Sequence, residues 1–321
     1  MLPHFHVLGI HVPMYSVMLV IGLLLFTLLY FYYFLKTYRM DRVTFNRLTF
    51  SVCISIAALG IFAFLFDGLF HSIEEGKLAF GGITWLGGVA GAFPAALISI
   101  HLLVPKKKGY ELDILDSLMP GLAIAHAFGR VGCFFGGCCF GKVTSSPFGV
   151  SFPEGSPAAK LHPDGVTGAS LPVLPTQLFE AVFEAALFLA LFFISKRTKK
   201  YNTAIWSISY GVFRFSLEFL RGDDRGSTGL ILSPAQILSI ILVIFGVLII
   251  LLRKKILLRS LDNKLAVWQA DADSFPIVPY NTVKGKLSDT ELLCELYKLK
   301  EEGVITEEEY EKKKNEILER M

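Results

Sequence analysis

The sequence predicts an all-α polytopic membrane protein with seven transmembrane helices. Its N-terminus is expected outside, its C-terminus in the cytoplasm, and a small extracytoplasmic head between helices four and five. Three observations carry this reading. The chain of 321 residues is 53% hydrophobic, with 28 phenylalanines and a mean hydropathy of +0.54. Soluble domains are less apolar than this, and the uncharged runs reach the roughly 20 residues that a bilayer-crossing helix needs. Basic clusters close every second run, as the positive-inside rule requires of cytoplasmic ends. Charged residues within the runs gather in spans four, five and six.

Residues 1–13, with His4, His6 and His11, read as an interfacial lead-in. The N-terminus lacks the charged start and cleavage site of a signal peptide, so the first apolar run is expected to be retained. Span one covers residues 14–35 and is followed by Lys36, Arg39, Arg42 and Arg47. Span two covers 48–70 and carries Asp67 near its outer end. Span three covers 83–104 and ends at Lys106, Lys107 and Lys108. Its glycine-rich start, Gly81-Gly82-Ile83-Thr84-Trp85-Leu86-Gly87-Gly88, suits close approach to a neighbouring helix or a head group.

Span four starts near Leu112 and runs into Gly129-Arg130-Val131-Gly132-Cys133-Phe134-Phe135-Gly136-Gly137-Cys138-Cys139-Phe140-Gly141-Lys142, the stretch around which the chain is organised. Gly136, Gly137 and Gly141 predict a helix break there. A guanidinium at bilayer depth is costly unless a partner or ligand compensates it, so Arg130 marks a functional site by default. His126 lies four residues earlier and shares its face. The following segment of about thirty residues, to Leu174, is rich in Pro, Gly and Ser and forms the expected head.

Span five, 175–194, places Gln177, Glu180 and Glu184 on one stripe; Lys196, Arg197, Lys199 and Lys200 close it. Span six, 203–220, places Tyr210, Arg214, Glu218 and Arg221 on one face, with Arg214 and Glu218 spaced to pair. Span seven, 230–252, carries Gln236 and ends at Arg253, Lys254 and Lys255. The domain division is thus a membrane domain over 1–255, a linker over 256–287 and a helical hairpin over 288–321. In the hairpin, Ser288 with Glu291 and Thr306 with Glu309 form capping boxes, and Gly303 suits a helix stop. It reads as a device for self-association or protein docking.

Arg130, Arg214 and Arg221 suit a phosphate, with Glu180, Glu184 and Glu218 to orient them. Three polar spans converging toward one leaflet predict a shared cavity for an anionic head group whose acyl chains stay in lipid. No basic-aromatic surface points to nucleic acid, no charge series to a voltage sensor, and no cofactor or metal is assigned. The five cysteines do not make a secreted disulfide framework. The clustered three admit packed apolar thiols, a Cys133–Cys138 disulfide, or a metal site needing a fourth ligand such as His126.

Six blocks in order resemble the prolipoprotein diacylglyceryl transferase family over about residues 8–255. They are Met14-Tyr15-Ser16, residues 81–88, Gly129-Arg130-Val131-Gly132 with Gly141, Pro175-Thr176-Gln177-Leu178-Phe179-Glu180, Tyr210-Gly211-Val212-Phe213-Arg214 with Glu218, Phe219 and Arg221, and Ala235-Gln236-Ile237-Leu238. The tail resembles the short C-terminal domain known as SHOCT. The family resemblance implies a multi-pass protein of the bacterial plasma (inner) membrane. It implies transfer of the diacylglyceryl group of phosphatidylglycerol to the cysteine thiol of a prolipoprotein signal sequence, with glycerol phosphate leaving. It further implies that Arg130 and Arg214 hold the phosphate; His126, one helical turn before Arg130, is a catalytic candidate by its position alone, and a satisfied core histidine is the other reading of it. Tyr15, Gly132, Gly141, Gln177, Glu180, Tyr210, Glu218 and Arg221 would line the substrate site.

The chain departs from the family pattern at four positions. Leu86 stands where the family usually has a histidine suited to activating the thiol, and a leucine is no base. Cys133 replaces an asparagine, Cys138 an acidic residue, and Ile61 an arginine. A second reading is therefore a divergent member that binds anionic phospholipid, or uses Cys133, Cys138 and Cys139 in redox or metal chemistry, without lipoprotein transfer.

Overall fold

The computed structural model describes residues 4–7, 10–37, 40–104, 110–197, 201–223, 228–229 and 231–254, with isolated positions between 297 and 315. A small antiparallel hairpin, β1 (His4–Val7) and β2 (Ile10–Pro13), pairs His6 with His11. It stands where the sequence suggested only a lead-in, and it qualifies the all-α expectation. The helices are α1 (Met14–Phe31), α2 (Arg42–Glu75), α3 (Trp85–Leu103), α4 (Tyr110–Gly136), α5 (Pro157–Leu161), α6 (Thr176–Arg197), α7 (Asn202–Leu217) and α8 (Pro234–Arg253). A π-helical turn, Tyr32–Thr37, extends α1.

Six of these elements are long and apolar enough to cross a bilayer: α1 with its extension, α2, α3, α4, α6 and α8. The protein is a helical, multi-pass membrane protein. Its outward faces are apolar, as at Val20 (65% exposed) and Leu102 (71%), which suits lipid. The remaining expected span is α7, of 16 residues, followed by a 3-10 turn, Glu218–Leu220. At about 1.5 Å per residue α7 spans roughly 24 Å, and the turn adds about 6 Å. Its length and polarity set it apart from the other six.

The helices associate as α1 on α4, α2 on α3, α4 on α6 and α7 on α8. The glycine-rich start of α3 seats against α2, where the carboxylate of Asp67 accepts hydrogen bonds from the amides of Gly81 (2.9 Å) and Gly82 (2.7 Å). At the opposite end, the first turn of α7 lacks a cap of its own, because Tyr201 precedes it in a left-handed conformation. Asp116 of α4 supplies the cap from another helix. It accepts from the amides of Tyr201 (2.9 Å) and Thr203 (2.6 Å) and from the Thr203 hydroxyl (2.6 Å). Arg253, at the end of α8, completes this clamp on Asp116 (2.6 Å) and Asp113 (2.9 Å).

Between α4 and α6 a compact head forms around Phe140, Phe152, Ala158 and Val173, with Phe134 packed against them. Ser156 caps α5 through the amide of Ala159. In an exposed turn the Asp164 carboxylate gathers the amides of Val166, Thr167 and Gly168 and the Thr167 hydroxyl. Those bonds, the Thr167 hydroxyl first, hold the Asp164 carboxyl below its ordinary range.

The chain divides into two units, residues 1–35 with 40–275, and residues 36–39 with 276–321. In the second, Tyr297 meets Tyr310 edge-on at 6.2 Å, and Lys300 lies 4.7 Å over the Tyr310 ring. The linker over 256–287, both capping boxes, and the basic residues Arg39, Lys106, Lys107, Lys108, Lys199, Lys200 and Lys255 lie outside the described residues.

Candidate active site

Three helices bring one polar face each into a shared interior. On α4, His126 and Arg130 are 6% and 5% exposed. On α6, Gln177, Glu180 and Glu184 are fully buried. On α7, Trp206, Tyr210 and Arg214 follow one another at four-residue spacing and are buried as well. Such residues persist in a membrane interior only when they satisfy one another or a ligand.

Glu180 is the hub. One of its oxygens lies 3.0 Å from Arg130 Nε, and the other accepts the Tyr210 hydroxyl at 2.7 Å. Arg214 acts on the same carboxylate electrostatically. Arg214 is held from its other side by Glu218, 2.6 Å away. Glu218 in turn accepts the Ser233 hydroxyl at 2.9 Å, and Ser233 caps α8 in a reciprocal box with Gln236. The second arginine is thereby tied to the start of the last helix.

His126 links Glu184 of α6 to Arg130. Its Nδ1 lies 2.9 Å from Glu184 Oε1, and its Nε2 accepts from Arg130 Nε at 3.1 Å. This arrangement fits the tautomer with the proton on Nδ1. Trp85 stacks on the imidazole, with centroids 4.2 Å apart, and Trp206 donates to Glu184 at 3.1 Å. Both ring nitrogens of His126 are thus engaged. Leu86, where the resemblance expects a histidine, is 4% exposed. Ile61, where it expects an arginine, is 58% exposed on the bundle surface.

The expected break after α4 occurs at Gly136, and the chain turns through Gly137 (φ 67°) and Cys139 (φ 64°). Two residues at the start of α6 hold this turn. Gln177 Nε2 donates to the Cys138 carbonyl at 2.7 Å, and the Thr176 hydroxyl donates to the Cys139 carbonyl at 2.9 Å. The Sγ atoms of Cys133, Cys138 and Cys139 lie within 4.8 Å of one another, and among the described residues no disulfide joins cysteines. Hydrogen bonding to Cys133 first, then to Cys139, together with burial, pushes the Cys138 thiol up.

Gly132 and Gly141 are both close-approach positions. A Cβ on Gly132 would lie 3.2 Å from Tyr15, and one on Gly141 would lie 2.6 Å from the Leu220 carbonyl. Tyr15 reaches the cluster from α1 and interacts electrostatically with Arg130 and all three cysteines. Arg221 is placed differently from the other two arginines. Asp223 engages it twice, at 2.9 and 2.7 Å, and its Nη1 is 3.5 Å from the Thr176 hydroxyl. Trp85, Trp206 and the Asp116 clamp escaped the sequence reading. Only Trp206 carried a legible signal there, four residues before Tyr210 on the same face.

Fold and site together define a multi-pass helical membrane protein whose interior holds a network of guanidiniums, carboxylates and an imidazole, bordered by three thiols. The chain belongs to the prolipoprotein diacylglyceryl transferase family, whose model matches residues 3–252. It is similar to phosphatidylglycerol–prolipoprotein diacylglyceryl transferase 2 of Clostridium perfringens, at 37% identity over 56% of this chain and 64% of that protein. The corresponding transferase of Clostridium tetani is 36% identical over 50% of this chain and 61% of that protein. That of Finegoldia magna is 28% identical over 81% and 98%. The matches to the two Clostridium proteins therefore span less than two thirds of those relatives' length.

Proposed function

We propose that the protein transfers the diacylglyceryl group of phosphatidylglycerol to the cysteine thiol of a prolipoprotein. The observation that carries this reading is the pair of buried guanidiniums, Arg130 and Arg214, that come from different helices and act on one buried carboxylate. Displacing a phosphate ester at carbon builds charge on the departing phosphate, and preorganised cationic donors lower that barrier. The attacking sulfur forms its bond to the glyceryl carbon as the C–O bond breaks, and the electron pair leaves with glycerol phosphate. A guanidinium carries five N–H donors, and the contacts of Arg130 named above use only Nε. Glu180 and His126 fix its plane, Glu218 fixes that of Arg214, and Tyr15, Gly132 and Tyr210 shape the space around them. Gln177, Gly141 and Arg221 brace the loop above α6.

The same reading includes seven spans, with α7 and its 3-10 turn as the sixth. The N-terminus and head lie outside, the C-terminus lies in the cytoplasm, and the location is the bacterial inner membrane. Residues 1–255 act as the transferase domain, 256–287 as a linker, and 288–321 as a docking or self-association hairpin. The test is complementation of a transferase-depleted bacterium, followed by transfer from phosphatidylglycerol to a signal peptide with purified protein. Complementation lost in Arg130→Gln and in Arg214→Ala, at normal protein level, supports the reading. Leu86 favours one rival, a lipid-binding member without transfer. No activity in the natural chain, with activity gained on Leu86→His, would establish that rival.

A further inference from the structure

We propose that Cys133, Cys138 and Cys139 form a three-thiolate Zn2+ site whose fourth position takes the acceptor cysteine and deprotonates it. The inference rests on the transfer reading above and supplies the thiol activation that reading lacks. Leu86 offers no base, and His126 has Glu184 on one ring nitrogen and Arg130 on the other.

The geometry is that of a donor set. Zinc binds thiolate sulfur at about 2.3 Å in tetrahedral sites, which puts the sulfurs about 3.8 Å apart. Here every pair is within 4.8 Å, so the widest contracts by at most about 1 Å on metal binding. All three cysteines are half-buried rather than sealed. Cys139 adopts a left-handed backbone (φ 64°), a conformation unfavourable for a non-glycine residue. Thr176 and Gln177 hold it there through the two carbonyls of the turn. The sulfurs are thus brought together by the surrounding structure.

The surroundings suit the charge. Binding converts three thiols and Zn2+ into a complex of net charge −1 and releases three protons. Arg130, one helical turn before Cys133, interacts electrostatically with Cys133 and Cys139 and compensates that charge. Three protein ligands with one open position is the arrangement of catalytic zinc, and a thiol that coordinates the metal loses its proton. The acceptor thiol would bind at the fourth position with release of one proton. Its sulfur then attacks the glyceryl carbon, the C–O bond breaks toward the phosphate held by Arg130 and Arg214, and the resulting thioether, a poorer ligand, leaves the metal.

The test uses the full-length protein, reduced and stripped of metal, in phosphatidylcholine nanodiscs. Titration with Co2+ should show one ion per chain, with a thiolate-to-cobalt charge-transfer band that one equivalent of Zn2+ abolishes. Cys133→Ser/Cys138→Ser/Cys139→Ser should lose the band, and Cys53→Ser should keep it. If the triple variant does not fold, Cys133→Ser alone should lower the band in the ratio three to two. Adding a single-cysteine peptide should raise it in the ratio three to four, and the serine peptide should leave it unchanged. No band in the natural protein, or a band that survives the triple substitution, overturns the site. A band indifferent to the cysteine peptide, or a transfer rate unchanged by zinc chelation, overturns the activating role. The expected loss on chelation is at least tenfold, restored by Zn2+. A protein that binds metal and cysteine peptide yet transfers nothing from phosphatidylglycerol sinks the transfer reading while the thiol site stands.

Discussion

Glu180→Gln is the most informative single change. The amide is nearly isosteric, so packing is preserved and only the charge is removed. Glu180 has no solvent exposure, pairs with Arg130 at 3.0 Å, accepts from Tyr210 at 2.7 Å and balances Arg214 electrostatically. The amide can still accept the Tyr210 hydrogen bond, so the loss falls on the ion pair. Removing one partner of a buried pair costs about 3–5 kcal/mol, because the other charge stays buried. At about 2–3 °C per kcal/mol for a domain of this size, the unfolding midpoint should fall by roughly 6–15 °C. Trp85 and Trp206 flank the cluster and report unfolding through their fluorescence. The measurement is made twice, in nanodiscs of phosphatidylcholine and of phosphatidylglycerol. A phosphate seated between Arg130 and Arg214 replaces the missing negative charge, so the loss should shrink in the anionic lipid relative to the natural protein. An equal loss in both lipids means that the guanidiniums do not meet a lipid phosphate. A loss under about 1 kcal/mol means that the pair is not desolvated as described.

Arg214→Ala should abolish lipid-dependent transfer and Arg214→Lys should not restore it, since an ammonium cannot reproduce a fork of planar donors; near-normal phosphatidylglycerol binding in a folded alanine variant would make Arg214 structural. Asp116→Ala should lower stability by about 3–5 kcal/mol, because it strips the start of α7 of its cap and leaves Arg253 with Asp113 alone; denaturant titration that shows no change would contradict the clamp. Deletion of residues 287–321 should leave insertion and transfer intact, and loss of the reaction at equal protein level would show that the tail is integral. Reporter fusions should place residues 145–174 outside and Lys106, Lys107 and Lys108 inside, and the opposite pattern at either place would refute the topology.

Much of the site was legible because a helix face is a local property. A spacing of four puts His126 beside Arg130, Glu180 beside Glu184, and Arg214 within reach of Glu218, whatever surrounds the helix. The apolar runs and the glycines that end α4 are local in the same sense, and so the membrane class and the break at Gly136 followed from composition and order. Periodicity says which residues share a face, not how that face is rotated or what it meets. Only the packing of α4 on α6 decided that Arg130 pairs with Glu180, and only that of α3 on α4 that Trp85 covers an imidazole 41 residues further along the chain. Arg221 looked equivalent to Arg214 in sequence, yet the chain past α7 curls back and gives it Asp223 instead. Nothing in the order of residues around Asp116 marks it as a cap, and it became one only when helix ends up to 137 residues away closed on it. Three cysteines within seven positions are ordinary as a string. Their sulfurs meet because a left-handed turn, pinned by Thr176 and Gln177, folds Cys138 and Cys139 back over the end of α4. The contacts of Glu180 with Arg130, of Trp85 with His126 and of Asp116 with Arg253 link segments far apart in sequence, and their energy comes from burying a charge or donor against one particular partner.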